Sequence, residues 1–279
     1  MADERDLADV DDPVRIDDFR VRPGERVALS ARATDEDLGL EKDEGKALTE
    51  TLHERLAELQ AKLYAQGTHR VLVVAQAMDT GGKDGLIKRL LLPVNPQGVR
   101  VATFKAPTEI ELDHDYLWRV HAQVPGNGEL VVFNRSHYED VLIARVHDLV
   151  PEDRWRRRYH HIRDFERLLV DEGTCIVKLF LHISKDEQKK RLEARLADPT
   201  KHWKFNPADL DERKRWDDYQ EAYADALSET STDTAPWYVI PADHKWFRDL
   251  LVAHIVVDTL ERLDLAYPES ADLSEVVVE

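Results

Sequence analysis

The chain has 279 residues, is 42% hydrophobic and 34% charged, and carries a formal net charge of -17. That length supports one α/β domain with a lid, or two small domains. The acidic balance excludes broad electrostatic binding to nucleic acid or to an anionic membrane. No apolar run approaches the ~18 residues that span a bilayer, and the acidic start Met1-Ala2-Asp3-Glu4-Arg5-Asp6 does not read as a secretory signal.

Residues 1–40 are acidic and weakly patterned, and read as an extended arm or a loose wrapping over the domain. Leu48, Leu52, Leu56, Leu59 and Leu63 recur at spacings of three and four, which predicts an amphipathic helix over 44–66, stopped by Gly67. Arg70-Val71-Leu72-Val73-Val74-Ala75 is a continuous, β-branched apolar run and predicts a buried parallel strand. Further strands are predicted at 99–104, 130–133, 175–181 and 237–240. Helical patterns fall at 83–92, 109–123, 151–171, 185–197, 207–227 and 244–263. Strands alternating with helices imply a parallel sheet covered on both faces. The single cysteine, Cys175, can form no internal disulfide and reads as a small buried hydrophobe. A reducing cytoplasm is the expected location.

Between the first strand and its helix lies Ala77-Met78-Asp79-Thr80-Gly81-Gly82-Lys83. Strand, A-x-x-x-x-G-K and helix together make a phosphate-binding loop. Gly81 and Gly82 let backbone N–H groups turn inward around an anion, the helix N-terminus adds partial positive charge, and Lys83 supplies a full charge that can follow a phosphoryl group. Ala77 stands where Gly is usual, and Asp84 where Ser or Thr normally ligates Mg²⁺. Asp79 places a carboxylate inside the loop, where it repels phosphate unless a cation intervenes. It is therefore the candidate for Mg²⁺ coordination.

Leu130-Val131-Val132-Phe133-Asn134 has the layout of a strand that ends in a metal-supporting Asp, with Asn134 in that place. Asn134 can hold a metal-bound water but brings no charge. Arg135 follows at the strand's carboxyl end, where open α/β sheets bind ligands, and can clamp a transferring phosphoryl. Three basic clusters oppose the global charge: Lys88-Arg89, Arg154-Trp155-Arg156-Arg157-Arg158, and Lys189-Lys190-Arg191 with Arg195, Lys201 and Lys204. The last suits a lid that carries cations onto phosphates, with Arg191 and Arg195 on one helix face; solvated helix faces are the plainer reading of Lys189, Lys190 and the Arg154–Arg158 run. The histidines show no metal-ligand spacing. The tryptophans at 203, 216 and 237 read as core, except that Trp203 sits inside a basic loop.

Met78-Asp79-Thr80-Gly81-Gly82-Lys83-Asp84-Gly85, Phe104-Lys105-Ala106-Pro107-Thr108, Phe133-Asn134-Arg135-Ser136-His137-Tyr138-Glu139-Asp140 and Trp203-Lys204-Phe205 together resemble the family-2 polyphosphate kinases, over roughly residues 40–265. The resemblance implies a three-layer, thymidylate-kinase-like core: a parallel sheet with helices on both faces. That core would span 41–267, with a helical lid at about 185–230, an N-terminal extension at 1–40 and a tail at 268–279. It implies reversible transfer of the terminal phosphoryl of inorganic polyphosphate to AMP or ADP, with Mg²⁺ as cofactor and Mn²⁺ as a substitute. By motif, Asp79, Lys83, Asn134, Arg135 and Arg195 are the candidate catalytic set, with Asp79 on the metal. Glu139, Asp140, Arg191 and Lys201 are expected on the nucleotide, and Gly81, Gly82, Lys83, Lys88, Arg89 and Lys105 along the polyphosphate. The His137-Tyr138-Glu139-Asp140 sequence resembles the members that accept both AMP and ADP, where diphosphate-restricted members show Trp-Tyr-Asn-Arg. Adenine and guanine nucleotides are the expected acceptors and a homo-oligomer the expected form. An ATP-dependent nucleoside monophosphate kinase and a non-catalytic polyphosphate binder are the competing readings.

Overall fold

The computed structural model describes residues 14–269. The expected tail, apart from Pro268 and Glu269, and the first 13 residues of the expected extension lie outside the described residues. Six strands form one sheet: β1 (Arg20–Val21), β2 (Arg70–Ala77), β3 (Val99–Thr103), β4 (Leu130–Asn134), β5 (Thr174–His182) and β6 (Trp237–Pro241). Their order is β1-β6-β5-β2-β4-β3, and every pairing is parallel except β1 with β6. Each of the five strands expected from sequence is present. β2 lies between β4 and β5 and is buried from Val71 onward, which is why it reads as an unbroken apolar run. The chain leaves β2 toward β3 and β4, then crosses back to β5 and β6. The carboxyl end of β2 is thus a switch point, where open α/β sheets place their ligands.

Ten α-helices accompany this sheet among the described residues. They are α1 (Lys42–Gln66), α2 (Lys83–Leu90), α3 (Glu109–Leu112), α4 (Trp118–His121), α5 (Ile143–Val146), α6 (Glu152–Asp171), α7 (Lys185–Ala197), α8 (Ala208–Lys214), α9 (Trp216–Thr230) and α10 (Lys245–Glu261). α1 and α2 pack with α10 on one side of the sheet; α6 packs with α5 and α9 on the other. α1 buries Leu56, Leu59 and Leu63 and ends where Gly67 turns left-handed at φ 64°.

Two expected helices are interrupted. The 109–123 pattern yields only the single turns α3 and α4. A capping box of Thr108 and Glu111 starts α3, and Asp115 then accepts the N–H of Leu117 at 2.9 Å, which turns the chain before α4. The 207–227 pattern breaks at Arg215, between α8 and α9. α9 buries Trp216, Tyr223 and Leu227 and packs on α5 and α6, so only α7, α8 and the 3₁₀ turn Pro199–Lys204 between them overhang the phosphate loop.

Residues 14–40 bury Val14, Phe19, Val21, Val27 and Leu29 in the common core, with β1 closing the β6 edge. Cys175 is half-buried, and burial raises its thiol to about 11, so it stays protonated and unreactive. No helix among the described residues is long and apolar enough to cross a membrane.

Candidate active site

The phosphate loop closes tightly on itself. A methyl group at Gly81 would stand 2.5 Å from the Ala77 Cβ and 2.7 Å from the Met78 carbonyl, so no larger residue fits. Gly82 takes φ 100°, a backbone state that side chains disfavour, and begins α2. Lys83 folds back over the loop and donates to the Ala77 carbonyl at 2.8 Å. Burial holds its ammonium below the ordinary lysine pKa; Arg135 adds to that depression, and Asp79, Glu139 and Asp84 oppose it.

At the end of β4, Arg135 adopts φ 63°, a strained state for a residue with a side chain. Its guanidinium lies 2.9 Å from Asp79 and 3.8 Å from Glu139. Beside it, Asn134 donates to Asp84 at 3.0 Å. Asp79, Asp84 and Asn134 thus offer hard oxygen donors at the mouth of the loop. No group of three or more His, Cys, Asp or Glu converges to hold a metal among the described residues. An open set of one or two carboxylates fits Mg²⁺, which keeps waters and takes its remaining ligands from phosphates.

Two cavities meet at Arg135. The first, of about 780 Å³, is lined by the loop and by eight cationic side chains, Lys83, Lys105, Arg135, Arg191, Arg195, Lys201, Lys245 and Arg248, against only Asp79, Asp84 and Asp209. Arg191 is held by Glu187 at 2.8 Å and donates to the Gly81 carbonyl at 2.9 Å. Arg195 lies 3.7 Å from Asp209. Gln188, fully buried on α7, donates to the Asp79 carbonyl at 2.9 Å and accepts from Arg213 of α8 at 2.8 Å. α7 is therefore bonded directly to the loop, and α8 to it through α7.

The second cavity, about 700 Å³, lies between the β3–α3 connection and α6. Phe104, Pro107, Tyr116, Ile143, Leu149 and Val150 give it an apolar and aromatic wall, and Arg119, Arg154, Arg157 and Arg158 give it cations. Arg158 is buried, stacks 4.7 Å over the Tyr116 ring and donates to the Asp140 carbonyl at 2.7 Å. Burial raises the Asp140 carboxyl above the ordinary range, against the pull of Arg158 and Arg119. Glu139 faces the same space.

Asp79, Lys83, Asn134, Arg135 and Arg195 are gathered at one place, with Gly81, Gly82 and Lys105. Glu139 and Asp140, expected on the nucleotide, line the second cavity. Arg191 and Lys201, expected with them, line the first instead, because α7 overhangs the loop rather than α6. Lys88 and Arg89 line neither cavity. They lie one turn beyond Lys83 on the outer side of α2, and Arg89 is paired with Glu50 of α1. Several lining residues carried no sequence signal strong enough to single them out. Lys245 and Arg248 look like ordinary charges at the start of an apolar helix, yet the buried Arg248 reaches the Gly82 carbonyl at 3.4 Å. In the Arg154–Arg158 run a signal existed: Arg154, Arg157, Arg158 and His161 share a helix face at spacings of three and four and line the second cavity together.

Comparison with known proteins agrees with this geometry. The polyphosphate kinase 2 family model matches residues 39–267. An AMP/ADP-polyphosphate phosphotransferase of Meiothermus ruber is 57% identical over 262 residues, covering 93% of this chain and 98% of that protein. An ADP-polyphosphate phosphotransferase of Rhodopseudomonas palustris is 47% identical over 270 residues, covering 92% of this chain and 93% of that protein. The crystal structure of polyphosphate kinase 2 from Arthrobacter aurescens TC1 superposes with a TM-score of 0.88 at 46% identity, over 95% of this chain and 93% of that one. With a phosphate loop, overhanging cationic helices and a family match across most of its length, the chain belongs to the polyphosphate kinase 2 family.

Proposed function

We propose that this chain transfers the terminal phosphoryl group of inorganic polyphosphate to AMP or ADP, reversibly, as the names of its relatives suggest. One observation carries the reading: Arg135 stands where a cationic cavity and an apolar, aromatic one meet. A polyanion suits the first, and a nucleoside phosphate suits the second, whose aromatic wall can take a base while its arginines take phosphate.

In this reading the polyphosphate end lies on the loop N–H groups and Lys83, with Arg191, Arg195 and Lys245 over it. The acceptor phosphate reaches Arg135 from the second cavity. Its own oxygen attacks the terminal phosphorus in line, so the protein supplies no nucleophile and works by positioning and charge stabilisation. Lys83, Arg135 and Arg195 follow the charge as it spreads over the transferring oxygens. Asp79, with Asp84 and Asn134 nearby, would hold Mg²⁺ or Mn²⁺, which would neutralise phosphate charge there.

The test is to incubate the protein with Mg²⁺ and long-chain polyphosphate against AMP, ADP, GMP and GDP separately. Nucleoside di- and triphosphates should form. Their absence, with phosphorylation of AMP only when ATP is supplied as donor, would sink the polyphosphate reading.

A further inference from the structure

Beneath Arg135 the chain buries a charged network that no substrate can touch. Ser136, His137 and Tyr138, which follow the strained arginine, are 0%, 1% and 0% exposed. Tyr138 Oη lies 2.8 Å from Glu166 Oε1 and 2.9 Å from Thr230 Oγ1, and accepts from Lys178 Nζ at 3.0 Å. Lys178, itself 0% exposed, also donates to Glu166 Oε2 at 2.6 Å and to the Thr230 carbonyl at 2.7 Å, so all three of its protons are placed. His137 Nε2 stands 3.3 Å from the same Glu166. The network joins β5 through Lys178, α6 through Glu166 and the end of α9 through Thr230, and ties all three to the loop that carries Arg135.

Two facts argue that this is more than packing. Well-packed apolar side chains often replace a buried ion pair without loss of stability, so such a pair is weak evidence for a purely stabilising role. A side-chain-bearing residue at positive φ, as Arg135 is, persists only where its surroundings over-determine it. α6 also carries Arg154 and Arg158 to the second cavity. Glu166 thus anchors one helix both to the transfer loop and to the wall facing it.

We propose that Lys178, Glu166 and Tyr138 are positioning residues for phosphoryl transfer. They hold the Arg135 backbone at the junction of the two cavities and fix its distance from α6, and they act through Arg135 without touching substrate. The inference rests on the polyphosphate-transfer reading of the site.

Two variants test it, each measured for kcat, for KM of polyphosphate and of AMP, and for melting temperature. Tyr138→Phe keeps the ring and removes only the hydroxyl. It should lower kcat about 10-fold, with KM for polyphosphate changed less than about 2-fold and the melting temperature only modestly reduced, because Lys178 and Glu166 lose one partner but keep each other; displacement of a catalytic group by about 1 Å can cost on the order of 10²-fold. The double variant Lys178→Met/Glu166→Leu removes the whole ion pair. It should melt near the wild-type temperature and yet lose about 10²-fold in kcat. Wild-type kcat in Tyr138→Phe overturns the inference while leaving the transfer reading intact. So does a kcat loss that tracks a falling melting temperature across both variants, because the network is then only structural. A wild-type protein that transfers nothing from polyphosphate overturns the functional reading itself.

Discussion

The two cavities that meet at Arg135 hold phosphate by different means. In the first, cations from six separate places (the loop, the segment after β3, the end of β4, α7, the 3₁₀ turn and the start of α10) converge on one space with few carboxylates among them. In the second, the arginines are partly spoken for: Arg158 by Asp140 and Tyr116, Arg119 by Glu111 at 3.6 Å and by the Lys105 carbonyl at 2.8 Å. Five of the first cavity's cations are paired as well, Arg135 with Asp79, Arg191 with Glu187, Arg195 with Asp209, Lys201 with Asp198 and Arg248 with Asp249. Cations nonetheless outnumber carboxylates in its lining eight to three, and such an excess binds any polyphosphate segment alike, which suits a repetitive donor. A wall of pre-paired arginines and aromatic rings has fixed geometry, which suits a single small acceptor. The contrast predicts that damage to the first cavity is blind to the acceptor, while damage to the second is blind to the donor.

The largest effects should fall on residues that serve the transfer itself. Lys83→Ala and Arg135→Ala should each lower kcat about 10³-fold with AMP and with ADP alike, the size expected for a group that stabilises transition-state charge. Initial rates with both acceptors check this, and a loss confined to one acceptor would break the assignment of Lys83 to the shared donor side. Asp79→Asn should cost about 10²-fold and should raise the Mg²⁺ concentration needed for half-maximal rate, which a carboxylate serving only to hold Arg135 would not do.

The second cavity should answer differently. Arg158→Ala should raise KM for AMP about 10-fold while KM for polyphosphate stays put, because Arg158 lines only the acceptor side. It also strips Asp140 of its buried partner, so the melting temperature should fall by an amount equivalent to about 1–3 kcal/mol. A KM change for polyphosphate of the same size would merge the two cavities into one site.

The first cavity was more legible in the sequence than the second, for a physical reason. A phosphate loop is built from consecutive residues, because backbone N–H groups must curl around one anion; Ala77 to Lys83 therefore announce it. Arg135 could be placed because it follows an apolar strand directly. The second cavity takes Phe104, Tyr116, Asp140, Leu149 and Arg158 from turns and helix faces far apart in the chain. Asp140 is marked by its place after Arg135 and Arg158 by the spacing of its run, but nothing local in Tyr116 or Leu149 distinguishes them from an ordinary core or surface residue. Lys178 and Glu166 show the same limit from inside the core. Each sits in an element whose sequence pattern was read correctly, but only the packing of α6 on β5 reveals that they pair. The five parallel strands were legible, most plainly β2, β4, β5 and β6, which are buried along nearly their whole length; the two-residue antiparallel edge β1 is too short to leave a pattern.

Acidity should separate the cavities less than mutation does, but with a definite sign. The depressed pKa of Lys83 means that it loses its proton at lower pH than an ordinary lysine. The free enzyme therefore loses the charge that meets the donor as pH rises, and kcat/KM for polyphosphate should decline along an alkaline limb below pH 10.5. The limb should be identical with AMP and ADP. A limb that moves with the acceptor would place the titrating group on the second cavity instead.

The smallest effects are expected at Lys88 and Arg89, and they test how far the cationic field reaches. Both follow the loop on α2 and, by sequence, belong beside the polyphosphate. Lys88 is exposed and Arg89 is already paired with Glu50, outside the walls of both cavities. Charges beyond about 8–10 Å are largely screened at physiological salt, so neither should hold the transferring end of the chain. Lys88→Ala and Arg89→Ala should leave kcat unchanged and shift KM for a short polyphosphate by less than about 2-fold, within the range of exposed ion pairs. With long chains at low salt the shift should grow, because a trailing polyanion can run past the cavity mouth onto α2. A KM that rises equally for short and long chains would mean that the donor lies along α2 from its first residues, and that the first cavity extends further than its walls suggest.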